Sequence, residues 1–146
     1  EIDPLPFGIA RQVLSGGDLT MVAWSSILPD CESACAALAQ EGIGVDLIDL
    51  RTLWPWDEDA VAASVARTGR LLVVHEAVQA AGFGAEVVAR MIERLGPAAV
   101  KAARRLGAPR VPVPFSPPLE EAVKVTAAKI VAAAKATLGA QSRPSV

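Results

Sequence analysis

The sequence predicts a three-layer α/β domain built on a largely parallel sheet. Short apolar runs bounded by Gly, Pro or Asp recur along the chain, as in Leu19–Trp24, Val45–Leu50 and Arg70–Glu76. Between them lie longer stretches in which apolar residues return at helical spacing, for example Ala34 and Leu38, Val61 and Val65, and Val87 and Met91. Strands that alternate with amphipathic helices need crossover connections, and these lay helices on both faces of a parallel sheet.

The elements follow in order. Gly8–Leu14 reads as a short strand ended by Ser15-Gly16-Gly17. Leu19–Trp24 is a buried strand, and Ser25-Ser26 offer a cap for the helix after it. Pro29 is tolerated in the first turn, and Asp30 and Glu32 suit the positive helix start. Gly42 stops that helix. After the strand Val45–Leu50, "RTLWPWDED" is a loop. Asp57 caps a helix that carries Val61 and Val65 and ends at Gly69. Arg70–Glu76 is the third apolar strand. Beyond the Gly82-Phe83-Gly84 loop, Val87, Val88, Met91 and Leu95 mark a helix halted by Gly96-Pro97. Ala102–Leu106 is a last, shorter strand. The stretch "GAPRVPVPFSPPLEEA" is too proline-rich for a central strand or a helix, and is expected to cross the surface in extended form. An alanine-rich helix runs from Thr126 to Leu138. Residues 1–7 read as an extended linker and 139–146 as a frayed tail.

Composition bounds the function. The 146 residues suit one domain, and 52% hydrophobic content excludes global disorder. A net charge of −2, no Tyr and no basic stripe argue against nucleic acid as a partner. No run approaches the roughly 20 apolar residues of a membrane helix. "EIDPLPFGIA" lacks the basic start and apolar core of a signal peptide, so a cytoplasmic setting is expected. Cys31 and Cys35 sit one helical turn apart. With a single histidine and no CxxC pair, they read as small buried residues and not as metal ligands.

The candidate chemistry centres on "LLVVHEAVQAAGFGAEVV". His75 and Glu76 end a buried strand, so they project to opposite faces and do not form one acid–base pair. Strand ends of open α/β sheets are where ligands bind, yet a lone His also reads as a hydrogen-bonded structural residue. No Ser or Cys occupies a nucleophile elbow. Gly82-Phe83-Gly84 has a phosphate-cradle reading and a tight-turn reading; the absence of a Walker Lys-Ser/Thr favours the turn. Trp54 and Trp56 are either ligand-stacking groups or a lid over the sheet or a neighbouring subunit. Arg51 is either an anion binder or a buried cation paired with Asp49 or Asp57.

Four segments carry a family resemblance: "GIARQVLSGGDLTMVAW", "GVDLIDLRTLWPWDEDAVAASVARTGRLLVVHEA", "GFGAEVVARMIE" and "PVPFSPPLEEA". In this order and spacing, they resemble the C-terminal domain of the β subunit of the thiamine-diphosphate-dependent decarboxylase component of 2-oxo acid dehydrogenase complexes. Pyruvate, branched-chain and acetoin dehydrogenases belong to that group, and transketolase has a related domain. The resemblance runs from about Pro6 to Leu138, with the domain itself read at residues 8–138, and implies a five-stranded sheet whose first strand is antiparallel at an edge. It also implies a short turn before a last helix capped by Thr126. Thiamine diphosphate and Mg are implied for the whole enzyme, but none of the family's catalytic, cofactor or metal residues map here. The implied partners are a second β subunit, the α subunit and the lipoyl acyltransferase core, in a bacterial cytoplasm or an organelle matrix. The interface candidates are His75, Glu76, Gly82, Phe83, Gly84, Trp54 and Trp56. Phe83 is read as an anchor at a loop tip that contributes little to its own core. The sequence departs from the family pattern around Ser25–Ala34, and at Val100-Lys101 and Arg110, where relatives often carry acids.

Overall fold

In the computed structural model, which describes residues 5–139, Leu19–Ala23 forms a strand (β2) buried along its whole length. A strand buried on both faces belongs in the middle of a parallel sheet. The order is β1-β3-β2-β4-β5, with β3 at Val45–Asp49, β4 at Arg70–Val78 and β5 at Ala102–Ala108. β2, β3, β4 and β5 pair in parallel, while β1 (Arg11–Leu14) runs antiparallel to β3 at the edge. The implied five-stranded mixed sheet is therefore the observed one.

Helices α1 (Leu28–Gln40) and α5 (Ala127–Leu138) cover one face, over a core that includes Met21, Leu38, Leu47, Leu72 and Ile130. Helices α2 (Glu58–Thr68) and α3 (Gly84–Leu95) cover the other, over Val22, Ile48, Val65, Leu71 and Met91. The alternation along each strand sends neighbouring residues into the two cores, Leu71 into one and Leu72 into the other. A buried polar cluster pins α2 at the amino ends of the strands. Asp46, fully buried, accepts hydrogen bonds from the Gln12 amide, Ser64 Oγ and the Arg67 guanidinium, and Thr20 Oγ1 lies 2.7 Å from both Ser64 Oγ and Thr68 Oγ1. A carboxylate this deep is tolerated because both of its oxygens have partners.

Several expectations need correction. The first strand begins at Arg11, not Gly8. Gly8 turns at φ +74°, its N–H is taken by Thr52 Oγ1 at 3.0 Å, and Ala10 N–H is taken by Asp57 Oδ2 at 3.0 Å, so neither donor is left for the ladder. Ser25-Ser26 do not cap α1. They form a 3-10 turn, Ser26 Oγ donates to Glu76, and the cap position falls on Ile27 without a side-chain bond. β4 and β5 run on to Val78 and Ala108. The proline-rich stretch contains a helix, α4 (Pro117–Val123), because its two prolines occupy the first turn, where an N–H has no partner to lose.

Other signals act as read. Asp57 Oδ1 accepts Ala60 N–H at 3.0 Å, Gly69 ends α2 in the left-handed conformation, and Thr126 Oγ1 accepts Lys129 N–H at 3.5 Å at the start of α5. No described helix is long and apolar enough to cross a membrane. Most of the 1–7 linker and of the 139–146 tail lies outside the described residues.

Candidate functional site

His75 sits where the pairing of β4 with β5 is interrupted, between Val74 and Val78. Its ring is fully buried. Nδ1 lies 3.0 Å from the carbonyl oxygen of Ala77, which only accepts, so Nδ1 carries the proton and Nε2 the lone pair. Nε2 is buried and has no hydrogen-bond partner. Three glycines make room for the ring. A Cβ on Gly84 would stand 2.7 Å from Nε2, one on Gly107 2.7 Å from Cε1, and one on Gly82 2.8 Å from Cε1. Trp24 stacks on the ring at 5.3 Å and 22°. Burial pushes the pKa of His75 below its ordinary 6.5; the bond to Ala77 opposes this, and the charge of Arg105 adds to it.

The glycine loop is therefore a turn shaped around an imidazole. Gly84 opens α3 and is packed on His75, and the loop carbonyls of Gly82 and Phe83 accept from Ala85 and Val87. His75 is buried, with a main-chain carbonyl as its one hydrogen-bond partner among the described residues. Glu76 points the other way, exposed, and accepts from Ser26 Oγ.

The remaining candidates separate. Trp54 is 83% exposed, whereas Trp56 is buried in the α2–α3 core, so the two tryptophans do not act as one group. Phe83 is not a lone aromatic at a loop tip. It stands edge-on to Trp24 at 5.8 Å and to Trp56 at 6.1 Å and packs on the core. The buried-cation reading of Arg51 is overturned as well. Arg51 is exposed at φ +58°; Asp49 pairs with Arg11 at 3.9 Å, and Asp57 is engaged by Ala10 and Ala60. Cys31 and Cys35 are buried thiols, pushed up to about 12 and about 11 chiefly by that burial, and so are unreactive at neutral pH.

Sequence reading missed Trp24 and Gly107 as neighbours of His75. Gly107 left a signal, since a glycine inside a strand marks a close approach of other atoms. Trp24 left none, because stacking across β2 and β4 depends on the strand order.

Two apolar surfaces are uncovered. Gly8 lies against Pro55 and bonds Thr52, and the neighbouring residues Phe7 and Trp54 are 80% and 83% exposed. Beyond β5, Val113 and Phe115 stand out from the extended segment before α4.

The family model "Transketolase, C-terminal domain" matches residues 8–130, which is most of the chain. The chain belongs to the transketolase C-terminal domain family. The domain is 39% identical over 134 residues to the acetoin:2,6-dichlorophenolindophenol oxidoreductase subunit beta of Cupriavidus necator, matching 92% of this chain and 40% of that protein. It is 47% identical over 90 residues to the mitochondrial 2-oxoisovalerate dehydrogenase subunit beta 2 of Arabidopsis thaliana, matching 62% of this chain and 25% of that protein. Pyruvate dehydrogenase β subunits are also among its relatives. A solved split-gene transketolase, described as an inactive beta4 tetramer, superposes with a TM-score of 0.82 at 25% identity, covering 94% of this chain and 45% of that one. The domain thus spans less than half the length of these relatives.

Proposed function

We propose that this transketolase C-terminal domain is the assembly domain of a 2-oxo acid dehydrogenase decarboxylase β subunit. On this reading it supports β–β and α–β association and docking of the lipoyl acyltransferase core, in a bacterial cytoplasm or an organelle matrix, and holds no complete active site. The observation that carries the proposal is the contrast between a buried His75 and the exposed aromatics Phe7 and Trp54. The one histidine at the strand ends is shut away, while large apolar groups are exposed, as residues at a contact are.

Thiamine diphosphate and Mg²⁺ belong, on the same reading, to other parts of the enzyme. A Mg²⁺-held diphosphate needs a set of oxygen ligands. Among the described residues no three His, Cys, Asp or Glu side chains gather into a group that could hold a metal ion.

The test is the full-length β subunit carrying Trp54→Asp, mixed with α and weighed by light scattering. The expected result is a smaller assembly with an unchanged thermal melt. The proposal fails if Trp54→Asp and Phe7→Asp both leave the assembled mass unchanged. Micromolar binding of thiamine diphosphate with Mg²⁺ to this chain alone, measured by calorimetry, would sink its claim about the active site.

A further inference from the structure

A cavity of about 410 Å³ opens at the carboxyl end of β5, between the segment Leu106–Arg110 and the link from α4 to α5. This is the end of a parallel sheet at which open α/β folds bind ligands, and its size suits a small molecule. Its wall meets the His75 cradle at Gly107. Its lining is one-sided in chemistry. The polar side chains facing it are Gln79, Arg110, Lys124 and Lys129, with no carboxylate among them.

Three of these four groups are held or available as donors. The amide oxygen of Gln79 accepts Gly107 N–H at 3.3 Å, which leaves its NH2 as the free end. Lys129 Nζ donates to the carbonyls of Ala122 at 2.7 Å and Lys124 at 2.5 Å. These bonds fix the ammonium at the end of α4 and leave one of its three donors over. Arg110 is exposed and makes no ion pair among the described residues. Lys124 is the exception, since it already pairs with Glu120 at 3.4 Å and Glu121 at 3.8 Å.

The surrounding sequence reinforces the sign. Between Glu93 and Glu120 come Arg94, Lys101, Arg104, Arg105 and Arg110, with no acid among them. Of these, Arg104 and Arg105 lie on β5, an edge strand, Lys101 and Arg110 flank its two ends, and Arg94 on α3 pairs with Asp59. The run stands out in a chain whose net charge is −2. Leu106, Val123 and Val125 supply an apolar wall beside the donors.

We infer that this cavity binds a small multivalent anion, with Arg110, Lys129 and the Gln79 amide as its donors and the apolar wall against its body. The shared chemistry is that of a phosphate or a polycarboxylate. The site differs from a Mg²⁺-diphosphate site in offering donors alone, so binding needs no divalent metal.

The test is titration of the ¹⁵N-labelled chain through the millimolar range with inorganic phosphate and, separately, with citrate. Ionic strength is matched with NaCl and no divalent metal is added. The expected result is saturable shifts centred on Gly107, Arg110, Val125 and Lys129. Saturation by one probe but not the other assigns the class. Arg110→Gln and Lys129→Gln should each weaken binding roughly threefold to tenfold, as expected for one charge-assisted hydrogen bond at a partly solvated site. Arg90→Gln, on α3 across the sheet, should leave binding unchanged. Arg110 contributes no described bond to the fold, so its variant remains informative even if Lys129→Gln melts early. The inference is overturned if neither probe saturates, if the shifts lie elsewhere, or if Arg110→Gln binds as tightly as the parent. Assembly of the β subunit does not enter this readout, so its failure and that of the assembly reading are distinguishable.

Discussion

At the scale of single residues, His75 makes the sharpest predictions. Its folded pKa lies below the 6.5 of an exposed imidazole because the charged form is poorly solvated inside the glycine cradle. The unfolded chain therefore binds more protons between the folded pKa and 6.5, and stability rises with pH across that window. The contribution is complete above 6.5 and is lost as the pH falls from there toward the folded value. Thermal melts at pH 5 and pH 8 should show a lower Tm at pH 5, with the gap reduced in His75→Gln. An equal gap in parent and variant would assign the effect to other groups. The cradle makes a second prediction. Gly84→Ala would place a methyl 2.7 Å from Nε2, with Val73 also close at 3.2 Å, so it should cost about 1–3 kcal/mol by overpacking. The same change made in a His75→Ala background should cost clearly less, because the obstructing ring is gone. Urea unfolding of the two singles and the double reads this coupling directly.

At the scale of elements, caps and turns decide where the chain folds back, and Asp57 acts on two of them at once. One oxygen caps α2 through Ala60 N–H, and the other holds Ala10 N–H next to β1. Asp57→Ala should cost about 1–2 kcal/mol, the upper part of the range for a lost N-cap, because a second donor is orphaned as well. Hydrogen exchange would show the loss at both Ala10 and Ala60; a change confined to α2 would mean that the link to β1 is energetically empty. The helix starts also explain what could be read locally. Asp57 and Thr126 cap by bonding a neighbour three residues on, so their role is written in the nearby sequence. Ser26 has the same chemistry but spends its hydroxyl on Glu76, fifty positions away, and no local pattern announces that. Pro117-Pro118 misled for a different reason. Proline opposes a helix interior but suits a helix start, and composition does not distinguish the two.

At the scale of the whole molecule, the two faces of the sheet separate residues that the sequence sets side by side. Phe83 and Trp54 were alike as surface aromatics in a linear reading. The fold instead packs Phe83 between Trp24 and Trp56 and leaves Trp54 outside. Phe83→Asp should therefore destabilise this domain by about 1–3 kcal/mol, since it removes the half-buried ring's contacts with Trp24, Trp56 and the core. Trp54→Asp should shift stability by no more than about 0.5 kcal/mol, as expected of an exposed site. Chemical denaturation of the two variants side by side checks this contrast. A Phe83→Asp variant as stable as the parent would restore the loop-tip reading.

The sequence by itself determined the fold class, the five strands and four of the helices, because period and punctuation act over a few residues. Its family motifs also carried the antiparallel edge strand and the transketolase C-terminal membership. The tertiary structure alone decided the environment of His75. Whether that ring faces a substrate or a cradle depends on Gly82, Gly84 and Gly107 meeting around it, and Gly107 arrives only because β5 pairs with β4. The gathering of Gln79, Arg110 and Lys129 around one cavity has the same origin. Such meetings follow from strand order and crossover geometry, which set contacts between residues far apart in the chain and leave little trace in the local pattern.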